Sequence, residues 1–386
     1  MVRQQTVRLK LPVDALLFGT MLALIVIGLL MVVDSSYVKT LDSLRAGHDA
    51  YYDLKKQVGG VLVGLLAMAT VMRLGYWRLK QWAVPLVVIG AVLLLAVWMP
   101  HIGQHENGAS RWVRIGIRFQ PSEIAKLTLL LYVAAQLARP ACKIRHLTEG
   151  LGPTLCVTAF YLVAIEREPD LGTAFALFFA VISQLFLAGA RRRHIALILA
   201  VCSLATFFFI GMSKHRQESI AAYLDPGRYQ QGIGYQGWHA RLAVGSGGLT
   251  GMGVGQGREK SYLPESDTDF IFATMAEELG FFWLLPVLGL LVLIGGRGFW
   301  IAYNTKDRFG QILAGGIASL ISWQALINIA VATGSIPSTG VPLPFLSFGS
   351  TSLVTLMVGI GLLLNIAQHP TPPTQELEKQ TRSRQA

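Results

Sequence analysis

The stretch YLPESDTDFIFATMAEELGFFWLLPVLGLLVLIGG, from Tyr262 to Gly296, sets Glu265, Asp267 and Asp269 immediately before a membrane-length apolar run and places Glu277 and Glu278 in its first turns. A carboxylate near a bilayer centre costs roughly 2.5 to 3.5 kcal/mol. Acids at such depth mark either a functional site or a compensating pair. At the membrane edge, loss of hydration raises a carboxyl pKa and makes the carboxylate a stronger base.

Upstream, GWHARLAVGSGGLTGMGVGQGREKSYLPE carries Gly245, Gly247, Gly248, Gly251, Gly253, Gly255 and Gly257, with Arg241, Arg258 and Lys260 beside them. No Gly-Lys-Ser/Thr and no strict G-x-G-x-x-G occurs, which argues against a nucleotide site. Two readings remain. A backbone free to approach a ligand, with cations nearby, suits a pyrophosphate; a re-entrant loop would use the same glycines for close helix packing.

ENGASRWVRIGIRFQPSEIAKL supplies Asn107, Arg111, Trp112, Arg114 and Arg118, then Glu123 and Lys126. Their spacing of three puts Glu123 and Lys126 on one helix face, where they can pair inside the membrane. In REPDLGTA, Asp170 can cap the following helix or serve a site. TGSIPSTGVPLPFLSFGSTSL brings Pro337, Pro342 and Pro344 before Ser347, Ser350, Thr351 and Ser352, small polar residues that favour helix packing. His101, His105 and Glu106 read as a polar loop rather than a metal set, and Cys142, Cys156 and Cys202 are placed where no disulfide can brace the outer loops.

The elements that position these residues must be membrane spans. The chain has 386 residues, 53% hydrophobic and only 14% charged, with a mean hydropathy of +0.50, where a soluble domain carries about 25% charged residues. Apolar runs of membrane length fall at 13–34, 57–75, 81–99, 121–138, 150–166, 170–190, 194–212, 269–295, 309–332 and 348–367. The expected fold is therefore all-α and polytopic, with about ten transmembrane helices. It divides into an N-terminus of residues 1–12, a membrane domain of residues 13–367, and a polar tail of residues 368–386 expected to be disordered. The first run reads as a retained span. Basic clusters at Arg3, Arg8 and Lys10, at Arg73, Arg78 and Lys80, at Arg139 to Arg145, at Arg191 to Arg193 and at Arg297 to Arg308 follow alternate spans, which places both termini in the cytoplasm. The net charge of +11 reads as this bias plus contact with anionic membrane lipids, and not as nucleic-acid binding. Residues 213–268, between helices 7 and 8, form the longest outer loop and end on the acidic stretch.

NGASRW, PSEIAKL, EPDLGT, GSGGLTGMGVGQG, LPESDTDFIFATMAEELG and PSTGVPLPFLSFGSTS occur in the order characteristic of the SEDS proteins FtsW, RodA and SpoVE, and the chain resembles that family over nearly its whole length. NGA before Arg111 and Trp112 looks closer to FtsW or SpoVE than to RodA. The resemblance implies a ten-helix bacterial peptidoglycan glycosyltransferase of the cell membrane, acting in cell division, sporulation or elongation. It would polymerise lipid II beside a class B penicillin-binding protein transpeptidase and other divisome or elongasome proteins. It further implies that Asp269, the Asp of TDFIFA, is the catalytic residue, acting as a base. Joining a 4-hydroxyl to an anomeric carbon that leaves pyrophosphate needs a base and no strong acid, so one carboxylate suffices for an inverting displacement. Arg111, Arg241, Arg258 and Lys260 are the candidates for the pyrophosphates, with Asn107 and Asp170 as further substrate contacts. No cofactor is certain, and a divalent Mg or Mn ion could share the phosphate charge. Glu277 and Glu278, about two and a half turns deeper, are expected to pair with Lys126 or an intramembrane arginine.

The chain departs from the family pattern at three places. Glu168 stands where the family usually has Gln, Phe348 and Ser350 alter the SYGGSS motif, and Asp267 replaces a common His. Two rival readings use the same features. A lipid II flippase would move lipid without making polymer, and a scaffold would only recruit a transpeptidase and tolerate loss of the Asp269 side chain.

Overall fold

The structure is a computed structural model that describes residues 13–41, 49–99, 102–106 and 109–371. Each expected span falls on a helix: α1 (Ala15–Leu41), α2 (Tyr52–Leu74), α3 (Tyr76–Ala96), α4 (Pro121–Leu137), α5 (Gly152–Arg167), α6 (Leu171–Leu187) and α7 (Arg192–Met212). After two short helices, α8 (Lys214–Leu224) and α9 (Tyr235–Ser246), come α10 (Ile271–Asn304), α11 (Arg308–Ala332) and α12 (Ser350–Gln368). Eight helices among the described residues are long and apolar enough to cross a membrane, and Leu171–Leu187 is a shorter apolar helix. The innermost elements are α4, α11 and α12, whereas α2 and α3 turn Leu62, Leu66, Val88 and Val92 outward, the arrangement expected where lipid is the solvent.

Two outer segments are more ordered than the sequence suggests. Residues 100–120 fold partly into an antiparallel meander of β1 (Gly103–Glu106), β2 (Ala109–Ile115) and β3 (Ile117–Phe119). The alternation in Trp112-Val113-Arg114-Ile115 carries the strand period, and Gly116 at φ +72° makes the turn between β2 and β3. The loop expected over residues 213–268 contains α8 and α9, too short and too polar to show in a search for membrane-length runs.

Helix α10 is broken. Gly280 has φ 69° and ψ 179°, and a Cβ there would overlap the backbone of Gly251. The carbonyls freed at Glu277 and Glu278 accept from the amides of Met252 and Gly253, both at 3.0 Å, and the amides of Phe281 and Phe282 donate to the carbonyls of Gly248 and Leu249 at 3.0 Å. The glycine-dense segment thus completes the hydrogen bonding of an interrupted helix, which is the condition for irregular backbone at membrane depth.

Candidate active site

Asp269 lies two residues before α10, and its backbone is fixed from two sides. Asn328 Nδ2 on α11 donates to the carbonyls of Asp269 and Val341, each at 2.7 Å. Ser347 Oγ donates to the Thr268 carbonyl at 2.5 Å and accepts from the Leu343 amide at 2.8 Å, and the Phe348 amide donates to the Asp267 carbonyl at 2.8 Å. Gln57 of α2 holds the same loop, donating to the Ser347 carbonyl and accepting from the Gly349 amide, both at 3.1 Å. The proline-rich last outer loop is therefore a clamp on the acidic segment.

The Asp269 side chain keeps partial exposure, and among the described residues no hydrogen bond reaches its carboxylate. Arg111 on β2 approaches it. Arg111 Nε donates to the Glu168 carbonyl at 2.9 Å and its Nη2 to the Pro169 carbonyl, which leaves Nη1 directed elsewhere. Gly340 sits at φ +71°, and a Cβ on it would lie 3.4 Å from both Arg111 Nη1 and Asp269 Oδ2. The carboxylate and the guanidinium thus face one small space that glycine keeps open.

Burial pushes the Asp269 carboxyl up to about 7; the negative charge of Glu265 adds to this, Arg111 opposes it, and Asp170 and Asp267 add further. A carboxyl titrating there is a proton acceptor matched to neutral pH. Its remaining exposure makes it reachable while most of its hydration is lost.

Glu168 and Asp170 lie beneath Arg111. Asp170 caps α6, its Oδ1 accepting from the Thr173 amide at 3.1 Å. Burial raises its pKa, against the pull of Arg111, of the Thr173 bonds and of Lys126. Glu168 is pushed up to about 9 by burial and by the Asp170 charge, with Arg111 opposing. Its two side-chain oxygens are buried without a hydrogen-bond partner, so at neutral pH it is a neutral acid, close in shape and charge to a glutamine. Since its folded pKa lies above its unfolded one, Glu168 binds a proton in the folded state between about pH 4 and 9 that the unfolded chain releases, and stability falls as pH rises through that window. Glu168→Gln should therefore flatten the decline of Tm with pH, measured by thermal denaturation in detergent from pH 5 to 9.

The remaining charges are arranged differently from expectation. Glu277 and Glu278 do not meet Lys126, whose Nζ is 2.8 Å from Glu123 Oε1 with both side chains 1% exposed. Glu277 Oε1 accepts from the amides of Arg258 and Glu259 at 2.8 and 3.1 Å. Glu278 accepts from the amides of Gly255 and Gly257 and from Lys260 Nζ at 2.7 Å. Lys260 also bonds Asp34 of α1 at 2.8 Å. Burial alone would lower its pKa, but the bonds to Asp34 and Glu278 outweigh that and raise it. The correction has a physical basis: the loop folds back onto α10, so the acids find partners about twenty residues upstream. The same geometry removes Lys260 and the glycine-loop amides from the pyrophosphate candidates, because carboxylates of this chain already occupy them.

Arg241 on α9 bonds the carbonyls of Gly334 and Tyr223 at 3.3 and 3.5 Å, and its Nε is buried without a partner. Arg258 is exposed. Asn107 and His101 lie outside the described residues, and among the described residues no group of three or more His, Cys, Asp or Glu is placed to hold a metal ion. Sequence reasoning missed Asn328, Gln57 and Asp34. Asn328 carried a signal, a polar side chain within an apolar helix, a pattern that in a bilayer demands a partner; Gln57 follows Asp53, Lys55 and Lys56, and Asp34 precedes Ser35 and Ser36, so neither stood out.

A family model described as Cell cycle protein, covering FtsW, RodA and SpoVE, matches residues 14–371. The probable peptidoglycan glycosyltransferase FtsW of Trichlorobacter lovleyi is 37% identical over 356 residues, covering 92% of this chain and 93% of that protein. Stage V sporulation protein E of Bacillus subtilis is 38% identical over 363 residues, covering 93% and 98%. Among solved structures, one chain of a peptidoglycan synthase complex that coordinates polymerization and crosslinking superposes with a TM-score of 0.77 at 27% identity, covering 93% of this chain and 99% of that one. With the clamp around Asp269, the broken α10 and these matches together, the chain belongs to the FtsW, RodA and SpoVE family.

Proposed function

We propose that this protein is a peptidoglycan glycosyltransferase that polymerises lipid II, with Asp269 as general base. The observation that carries the reading is the shared space at Gly340, where a carboxyl titrating near neutrality faces a guanidinium already anchored by two carbonyls. Asp269 takes the proton of the acceptor's 4-hydroxyl as its oxygen attacks the donor's anomeric carbon. The carbon–oxygen bond to pyrophosphate breaks with inversion, and the leaving group departs as an anion without needing an acid.

Arg111 is the best placed cation for that anion: its anchored orientation costs little reorganisation as charge develops. Arg241 and Arg258 are secondary candidates for the same anion by charge. With the Asp269 end outward and both termini in the cytoplasm, the site meets lipid II in the outer leaflet. A class B penicillin-binding protein transpeptidase is the proposed partner, since crosslinking must follow polymerisation.

The test is incubation of the purified protein, with its transpeptidase, with lipid II as sole substrate and separation of glycan strands on a gel. Strands of many disaccharides are expected. Movement of labelled lipid II across proteoliposomes with no strand formed would instead establish the flippase reading.

Gly340 gives a second check. Gly340→Ala places a methyl group between Asp269 and Arg111 and imposes roughly 1 kcal/mol of backbone strain at its positive φ. Polymerisation should fall by about 10²-fold, while Tm changes by only a few degrees.

A further inference from the structure

At the end of the bundle remote from Asp269 lies a cavity of about 380 Å³, lined among others by Arg73, Gly75, Trp77, Arg78, Asn365 and His369. The separation follows from α2: Gln57 in its second turn holds the clamp, and the helix continues from there to Leu74, about 25 Å away at helical rise. Arg73 lies in the last turn of α2 and Arg78 in the first turn of α3, so the tight turn at Gly75, φ +79°, brings two guanidinium groups to one space.

Its floor is a fixed polar framework. Asn365 Nδ2 on α12 donates to the Met72 carbonyl at 2.6 Å, its Oδ1 accepts from the Tyr76 amide at 2.7 Å, and the Tyr76 hydroxyl donates to the His369 carbonyl at 3.1 Å. Trp77 and His369 meet edge to face with ring centroids 5.2 Å apart. Among the described residues no carboxylate lines the cavity. The nearby Asp307 caps α11 by accepting from the Gly310 amide at 2.9 Å. Two arginines, a histidine and a tryptophan at a helix end, open on one side to the apolar residues Ala69 and Leu74, match the requirements of a phosphate group attached to acyl chains.

We propose that this cavity binds the phosphate of an anionic phospholipid headgroup. Arg73 and Arg78 grip the phosphate, Trp77 lies at the headgroup level, and the acyl chains run down the apolar side of α2. The binding is separate from the chemistry at Asp269 and holds whichever substrate that site takes.

The full-length protein is reconstituted with phosphatidylglycerol or with phosphatidylcholine, and lipid retained through detergent exchange is counted by native mass spectrometry. Three proteins are compared: wild type, Arg73→Gln/Arg78→Gln, and Arg191→Gln/Arg192→Gln as a control that removes equal charge from the start of α7. Wild type and control should retain phosphatidylglycerol, and the Arg73/Arg78 variant should bind it about thirtyfold more weakly, with its Tm in lipid-free detergent close to that of wild type. Arg73→Lys/Arg78→Lys should recover part of the binding. Equal retention by the Arg73/Arg78 variant, equal loss in the control, or equal retention of phosphatidylcholine overturns the proposal. Inorganic phosphate is added separately to delipidated protein. Stabilisation by phosphate alone, lost in the Arg73/Arg78 variant without any retained lipid, overturns the lipid assignment in favour of a soluble phosphate.

Discussion

Asp269→Asn should lower the rate of lipid II polymerisation by about 10²- to 10⁴-fold, the range a positioned general base contributes, and should raise Tm at the same time. The two effects have one cause. Loss of hydration raises the Asp269 pKa to about 7, with Glu265 helping and Arg111 opposing, which makes the carboxylate a good base and also an unfavourable charge to hold in the folded chain. Asparagine keeps the size of the side chain and removes both. For wild type, the rate should rise about tenfold per pH unit below 7 and level above it, because only the ionised form accepts the proton. The Tm advantage of the variant should grow between about pH 4, where the unfolded Asp ionises, and about pH 7, where the folded one does, and stay constant beyond. A variant that loses activity and also melts earlier would mean that Asp269 is a structural acid. Equal polymer from both proteins would remove it from the chemistry altogether, as the scaffold reading requires.

The candidate site was legible in the sequence where its members are close in the chain or lie in long apolar patterns. The ten apolar runs mark the positions of ten helices, since membrane-length hydrophobicity is a strong local signal, and a spacing of three was enough to put Glu123 against Lys126. What the sequence hid are contacts made by folding back. Nothing local to Glu277 and Glu278 shows that amides from Gly255 to Glu259 will wrap around them, and the glycines that permit this suit a pyrophosphate equally well. Nor does local pattern reveal that Gly280 interrupts α10, because an apolar run reads the same whether its helix is continuous or broken. Asn328 was visible as a polar residue in apolar surroundings, whereas Gln57 follows a charged segment, and for both the partners at Asp269, Val341, Ser347 and Gly349 come from loops whose placement only the assembled bundle determines.

The second large effect is on stability and should come from Lys126. Its ammonium and the Glu123 carboxylate are both 1% exposed and 2.8 Å apart, and the second oxygen of Glu123 is buried with no partner. Lys126→Met leaves an uncompensated buried carboxylate in the first turn of α4, a cost of about 3 to 5 kcal/mol, and also withdraws a positive charge that opposes the upward push of burial on Asp170, the cap of α6. The expected result is a large drop in Tm and in yield of membrane-inserted protein. Glu123→Leu/Lys126→Met replaces the pair by apolar groups and should recover most of that loss, since a buried ion pair contributes little over well-packed hydrophobic residues while a broken one is strongly destabilising. The comparison separates the two jobs of Lys126, because the coupling of the double-mutant cycle reports the pair alone. If the double variant is as unstable as Lys126→Met, the cation is required by Asp170 rather than by Glu123, and its place is then beneath the site, holding the α5–α6 turn on which Arg111 is anchored.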